Sequence, residues 1–228
     1  MEGLFRIVLM ITLSSLASAQ TASEIMESVR QVTVLQKEQT LTGVLRKGAN
    51  KVPLNLFLRG KDIQFTLNGG AEGFHLRLKE NDQEFWDIND GKAKRFPANK
   101  IGASIANTDV TYEDLALKFL YWPNPQHAGS QKIGLENCWR IHVVNPEKTG
   151  SYREVSIWVT KKHRALARVV GYGPRPGRRP LKQFEIIDVM KVNGVFTIET
   201  MKVSMFDEQR KVQGITYLEF DKPKRRGR

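Results

Sequence analysis

Cys138-Trp-Arg-Ile-His-Val-Val-Asn-Pro-Glu-Lys-Thr-Gly-Ser-Tyr-Arg-Glu-Val-Ser-Ile-Trp-Val-Thr160 is the stretch on which the reading of the fold turns. Trp139, Ile141 and Val143 alternate with Arg140 and His142, and Val155, Ile157 and Val159 alternate again after Asn145 to Gly150. Successive side chains of a strand point to opposite faces, so alternation broken by a Pro/Gly turn predicts two half-buried antiparallel strands. Trp139, Ile141, Val155 and Ile157 then share one apolar face, and Trp158 marks the other register.

The same pattern spreads in both directions. Downstream, strands are expected over Ala165 to Tyr172, near Leu181 to Lys191, over Phe196 to Phe206 and over Gln213 to Phe220, with Asn193-Gly194 as a tight hairpin turn. The prolines of Gly173 to Pro180 rule out ladder pairing there. Upstream, Leu41, Gly43 and Leu45 lie on one side of a strand, followed by Val52, Leu54, Leu56 and Leu58, then Ile63, Phe65 and Leu67, then Phe74, Leu76 and Leu78, then Phe85, Trp86 and Ile88. Pro53 lacks an N–H in the opposite register, which suits an edge or a strand start.

Two segments carry helical signals instead. Thr21 and Glu24 have capping-box spacing ahead of Ile25, Val29 and Val32. Thr111 and Asp114 repeat that spacing, Val110 and Leu115 fit a hydrophobic staple, and Leu115, Phe119 and Leu120 form a stripe that must end by Pro123. Many short strands with two helical interruptions predict an α+β protein on one large curved antiparallel sheet. At 228 residues and 40% hydrophobic content, one domain accounts for the chain.

Before Gln20, the apolar run Ile7 to Leu13 follows Arg6 and precedes Ala17-Ser18-Ala19, as in a cleaved signal peptide. The run is too short for a stable span of ~30 Å of hydrocarbon. A soluble, exported protein of a bacterial envelope is expected, in the periplasm. Cys138 is the single cysteine, which excludes an internal disulfide, and beside Trp139 it reads as a small buried hydrophobe rather than a nucleophile.

A net charge of +12 favours anionic lipid headgroups or acidic partners, and export argues against nucleic acid. Lys222, Lys224, Arg225, Arg226 and Arg228 form a basic tail, and Arg175, Arg178 and Arg179 crowd the proline loop. Both fit solvated segments; docking to an anionic membrane surface is the alternative.

Catalytic patterns fail one by one. Gly171, Gly173 and Gly177 lack the Lys-Ser/Thr of a phosphate cradle. His75, His127, His142 and His163 lie in different segments, so no metal site is expected. Ser104 lacks the second glycine of a nucleophile elbow. Asp109, Glu113 and Asp114 are explained by the unpaired N–H groups of a helix start rather than by acid–base work. Trp86, Trp122, Trp139 and Trp158 fit either core or cavity wall. Neither an enzyme nor a cofactor is expected.

Four segments carry a family resemblance: Asp109-Val-Thr-Tyr-Glu-Asp-Leu115, Gly134-Leu-Glu-Asn-Cys-Trp-Arg-Ile-His142, Trp158-Val-Thr-Lys-Lys162 and Lys191-Val-Asn-Gly194. In order and spacing the chain from about Glu24 to Phe220 resembles the outer-membrane lipoprotein-sorting, LolA-like proteins. The resemblance implies a half-open antiparallel β-barrel with helices over its concave face, spanning 20–221 between a signal peptide (1–19) and a basic tail (222–228). It further implies a carrier of acyl chains of lipoproteins or lipids, taking cargo from an inner-membrane export complex to an outer-membrane acceptor. In that picture Leu54, Leu56, Leu58, Phe65, Phe74, Leu76, Trp139, Ile141, Val155 and Ile157 line the groove. Leu115, Phe119 and Leu120 belong to the lid, and Arg46 or Arg59 takes the place of the family's lid-holding arginine. An envelope interaction or sensor module without cargo is the alternative, and an unrecognised hydrolase is disfavoured.

Overall fold

A computed structural model of the chain describes residues 20–34, 38–79, 83–89, 92–147, 149–174 and 179–222. The signal-peptide expectation for 1–19, Arg175 and Arg178 of the proline loop, and the tail beyond Lys222 lie outside the described residues.

The chain opens with α1 (Ala22–Val34). The capping box is formed, since the Thr21 N–H donates to Glu24 and the Glu24 N–H donates to Thr21 Oγ1 at 2.9 and 3.2 Å. Ile25, Met26 and Val29 are buried, as the apolar stripe predicts; the side chain of Val32 lies outside the described set. Six strands follow: β1 (Gln39–Lys47), β2 (Asn50–Arg59), β3 (Asp62–Leu67), β4 (Glu72–Leu78), β5 (Gln83–Asn89) and β6 (Lys92–Arg95). An insertion, 96–125, carries the five-residue α2 (Tyr112–Ala116) and leads to β7 (Gln126–Ile133). The chain ends in β8 (Glu136–Val144), β9 (Glu154–Thr160), β10 (Leu166–Tyr172), β11 (Pro180–Val192), β12 (Val195–Phe206) and β13 (Val212–Phe220).

All thirteen strands form one antiparallel sheet ordered β6-β5-β4-β3-β2-β1-β13-β12-β11-β10-β9-β8-β7. Two meanders, β1–β6 and β7–β13, are therefore joined where β1 pairs with β13, with Leu45 opposite Leu218. The sheet is curved and unclosed, so β6 and β7 are left as edges. The hairpin that set the reading is β8–β9, with Trp139, Ile141 and Val143 opposite Val159, Ile157 and Val155. Asn193 and Gly194 both have positive φ, 50° and 88°, as a two-residue hairpin turn matching the strand twist requires.

Two local expectations need correction. Pro53 is not on an edge strand: β2 lies between β1 and β3, and Pro53 pairs with Val44. It is tolerated near the start of the strand because the β3 ladder reaches only to Leu54. The second helix does not run on to Leu120. Leu117 adopts a left-handed conformation (φ 49°) that ends α2, and Lys118–Tyr121 continues as a tighter 3-10 turn.

Period two sorts the side chains onto a concave and a convex face. The concave face supplies most of one continuous core, including Leu41, Leu45, Leu54, Phe65, Phe74, Ile141, Ile157, Val169, Phe184, Val203 and Leu218. α1 and the insertion add Ile25, Met26, Leu115, Phe119, Leu120 and Trp122 to it. On the convex face Cys138, Trp158 and Val170 form a separate small cluster. Burial pushes the Cys138 thiol above its ordinary value, which keeps it protonated and inert.

Candidate functional site

The concave face and the insertion covering it are the candidate site. Eight groove candidates, Leu54, Leu58, Phe65, Phe74, Leu76, Ile141, Val155 and Ile157, are buried in the main core. Leu56 and Trp139 are partly buried against it, Trp139 with the Arg164 guanidinium 4.8 Å from its ring centre. Trp158 lies on the opposite, convex face. The lid candidates Leu115, Phe119 and Leu120 are buried, at 8%, 1% and 1% exposure, so the groove is occupied by the chain's own side chains. An open cleft of about 580 Å³ lies elsewhere, between Glu27 and Arg30 of α1 and Tyr121–Pro125.

On its β4–β5 flank the insertion rests on aromatic rings. Phe74 stacks on Phe65 at 4.6 Å and meets Tyr112 edge-on at 5.4 Å, while Phe96 lies 5.0 Å from Tyr112. Offset and edge-on pairs of this kind add to plain burial. Lys100 sits over the Tyr112 ring at 5.0 Å and pairs with Glu72 at 2.7 Å, and the Tyr112 hydroxyl donates to Glu72. Burial opposes ionisation of Glu72, but the bonds from Lys100 and Tyr112 outweigh it and hold the carboxyl below its ordinary range. Burial, reinforced by Glu72, pushes the Tyr112 phenol well up.

The opposite flank is tied by buried charge. The Asp114 side chain completes the capping box, accepting from the Thr111 N–H at 2.8 Å. It also takes Lys182 Nζ of β11 at 2.6 Å and the Tyr152 hydroxyl at 2.5 Å. Lys182 and Asp114 are nearly sealed from water, with side chains 6% and 1% exposed. Asp109 receives Lys47 Nζ of β1 at 2.6 Å and Thr216 Oγ1 of β13 at 2.9 Å, while Thr216 Oγ1 accepts from the Asp109 N–H. Missing side chains make room for this. A Cβ on Gly171 would lie 2.4 Å from the Tyr152 ring, and one on Gly214 2.5 Å from Asp109 Oδ1. Burial and the adjacent Asp114 charge push the Tyr152 phenol far up, so it serves as a donor.

Glu113 lacks a lysine of this kind. Its carboxylate accepts from the Ser151 N–H at 2.8 Å, and burial, aided by Asp114, raises its pKa. Further bonds run from Gln83 Nε2 to the Ala116 carbonyl at 2.9 Å and from Arg30 Nε of α1 to the Leu120 carbonyl at 2.8 Å.

The cations paired with Asp109 and Asp114 of the insertion are therefore Lys47 and Lys182, and neither Arg46 nor Arg59 reaches the insertion. Arg46 is one residue out of register: it faces the convex side, clamps Glu219 at 2.9 and 2.5 Å and stacks on Tyr217. Arg59 is 82% exposed with Glu38 at 3.9 Å. The acids read as helix-start residues do more than cap, since Asp114 is the insertion's half of a buried ion pair and Asp109 its half of a pair with the half-buried Lys47. For Lys47 the signal was present, because it continues the parity of Leu41, Gly43 and Leu45. For Lys182, 68 residues from its partner, no local signal exists.

Ser104 is exposed and makes an isolated bridge to Thr111. Among the described residues no three His, Cys, Asp or Glu side chains are placed to hold a metal, and no helix is long and apolar enough to cross a membrane.

Solved structures share this architecture at low identity. A DUF1329-family protein from Desulfovibrio piger matches with a TM-score of 0.67 at 14% identity, over 89% of this chain and 92% of that one. A domain from Vibrio parahaemolyticus named for outer-membrane lipoprotein sorting gives 0.69 at 13%, over 88% and 92%. A LolA-superfamily protein from Nitrosomonas europaea gives 0.66 at 15%, over 90% and 93%. No curated protein matches the sequence. Residues 74–226, more than half of the chain, match the model of a family described as uncharacterized protein. The chain belongs to that family, and its fold is that of the LolA superfamily.

Proposed function

We propose that the chain is an exported carrier that binds acyl chains of a lipoprotein or lipid between the concave sheet and the insertion. It moves them through the periplasm toward the outer membrane without covalent catalysis. One observation carries this reading: a continuous apolar sheet face is covered by a separate segment, 96–125, that forms no strand of the sheet and is held in part by discrete side-chain bonds. The lipoprotein-sorting name of the Vibrio domain, which shares the fold, agrees with it.

Magnitudes favour exchange of cargo for cover. An acyl chain a dozen methylenes long gains about 10 kcal/mol on burial at ~0.8 kcal/mol per methylene, before ordering costs. Withdrawing Leu115, Phe119 and Leu120 forfeits about 1.5–3 kcal/mol each. The swap is close to balanced, so the polar bonds of the insertion decide when the groove opens.

A second reading, an interaction or sensor module on the same fold without cargo, is favoured by the filled concave face. Mass spectrometry of lipids extracted from protein purified from its native envelope separates the two, together with titration of delipidated protein with a fluorescent fatty acid. Co-purifying acyl lipid and saturable uptake support the carrier; delipidated protein that takes up no acyl probe overturns it.

A further inference from the structure

Buried apolar residues end abruptly at the tip of the β11–β12 hairpin. Ile187, Val189 and Phe196 are 50%, 55% and 65% exposed, although the opposite side of the same hairpin buries Met190 and Val192 in the main core. Val189 pairs with Ile198 and Lys191 with Phe196, so these four share a face, with Lys191 Nζ 5.7 Å from the Phe196 ring centre. A cluster of large apolar side chains on a hairpin end is unusual on a surface exposed to water and marks a contact site.

Charge selects the occupant. Lys222 reaches Glu199 of β12 at 3.0 Å, so β13 ends at the base of the hairpin end that carries this tip. The sequence beyond it is Pro223-Lys-Arg-Arg-Gly-Arg228, with four further bases and no acid. On the hairpin end itself the acids are Asp188 and Glu199, and Glu199 is neutralised by Lys222. An apolar tip with Lys191 at its rim, in a chain of net charge +12, matches the interface of an anionic bilayer, with apolar groups among the acyl chains and cations at the headgroups.

We infer that the β11–β12 tip, through Ile187, Val189 and Phe196 with Lys191, docks the protein on anionic lipid membranes. This surface is separate from the concave groove, and it stands or falls independently of the carrier reading.

The test places an environment-sensitive fluorophore on the full-length Phe196→Cys variant. Cys138 is fully buried, so labelling is directed to the tip. Vesicles of phosphatidylcholine alone and of phosphatidylcholine with phosphatidylglycerol are compared, with the same label on a Gln209→Cys variant in the exposed β12–β13 turn, at the opposite end of β12, as control. A blue shift at the tip on the anionic vesicles only, absent at the control site, is expected. Vesicle co-sedimentation of the unlabelled chain should fall about tenfold on Val189→Asn/Phe196→Asn. No shift at the tip, or co-sedimentation unchanged by the double variant, overturns the assignment. A concentration-dependent shift without vesicles also overturns it, in favour of self-association through the tip.

Discussion

The two flanks of the insertion are held by different physics. On the β4–β5 side Phe74, Phe96 and Tyr112 touch over broad apolar area, and on the β11–β13 side Asp114 and Asp109 meet Lys182, Lys47, Tyr152 and Thr216 through directed bonds. Apolar contact is non-directional, so an acyl chain replaces it almost in kind. A buried ion pair has no such substitute, because separating it strands a charge away from water. On the carrier reading proposed above, the aromatic flank is where cargo would compete with the cover, and the ionic flank is where the cover would stay tethered.

The largest effect is expected from breaking the tether. Lys182→Met leaves Asp114 buried and uncompensated, and should cost about 3–5 kcal/mol in denaturant unfolding. Asp114→Asn keeps the cap through its carbonyl oxygen and turns its amide N–H toward the Tyr152 hydroxyl oxygen, which then accepts, so adding it to Lys182→Met should restore most of that loss. A loss below about 1 kcal/mol would mean that the two flanks do not differ in the way described.

Crowding the tether should matter less. Gly171→Ala drives a methyl into the Tyr152 ring and Gly214→Ala drives one into Asp109. Each should lower stability by about 1–3 kcal/mol, as overpacking generally does. Thermal unfolding of the two variants checks this, and an unchanged midpoint would show that the cover yields freely.

On the aromatic flank, Tyr112→Phe removes the hydroxyl bond to Glu72 but keeps the ring, and should cost about 1 kcal/mol. If the proposed carrier reading holds, its acyl-probe uptake should rise relative to the parent, because the cover is loosened on the flank where cargo would enter. Equal uptake by Lys182→Met/Asp114→Asn and Tyr112→Phe would erase the distinction between flanks.

The smallest effect concerns pH. The Glu113 carboxyl titrates above its ordinary value of 4.5, because burial disfavours its charged form. The unfolded chain therefore gives up this proton first, and stability falls as pH rises through 4.5 to the raised folded value. Glu113→Gln should flatten that step and raise the melting temperature above it, with no difference at lower pH. A Glu113→Gln melting curve parallel to the parent's across the window would contradict it.

The sheet was legible because most strands bury one face and alternate accordingly. Strand β9 shows why its sidedness was not. From Val155 to Thr160 every side chain is buried, since Trp158 is covered on the convex side by Cys138 and Val170, with its indole bonded to Gln131 at 3.0 Å. Period two then gives register without saying which face looks inward. The latch was hidden for a related reason. Arg46 and Lys47 are adjacent bases on opposite faces, and a shift of one residue exchanges them. Lys182 sits among alternating residues of β11 as an ordinary polar position, and only the distant acid makes it functional. Capping spacing located Asp114 correctly but also supplied a complete local reason for it, which concealed its second partner.

The joining of β1 to β13 also sets an order of events during folding. Those strands are separated by most of the chain, and pairing at such separation is slow. The Asp109 anchors come from both sides of that seam, Lys47 on β1 and Thr216 on β13. The insertion is made midway along the chain, yet its binding place exists only once the two ends have met. Docking of 96–125 is thereby a late step, and protection of its amides from hydrogen exchange would time the completion of the whole sheet.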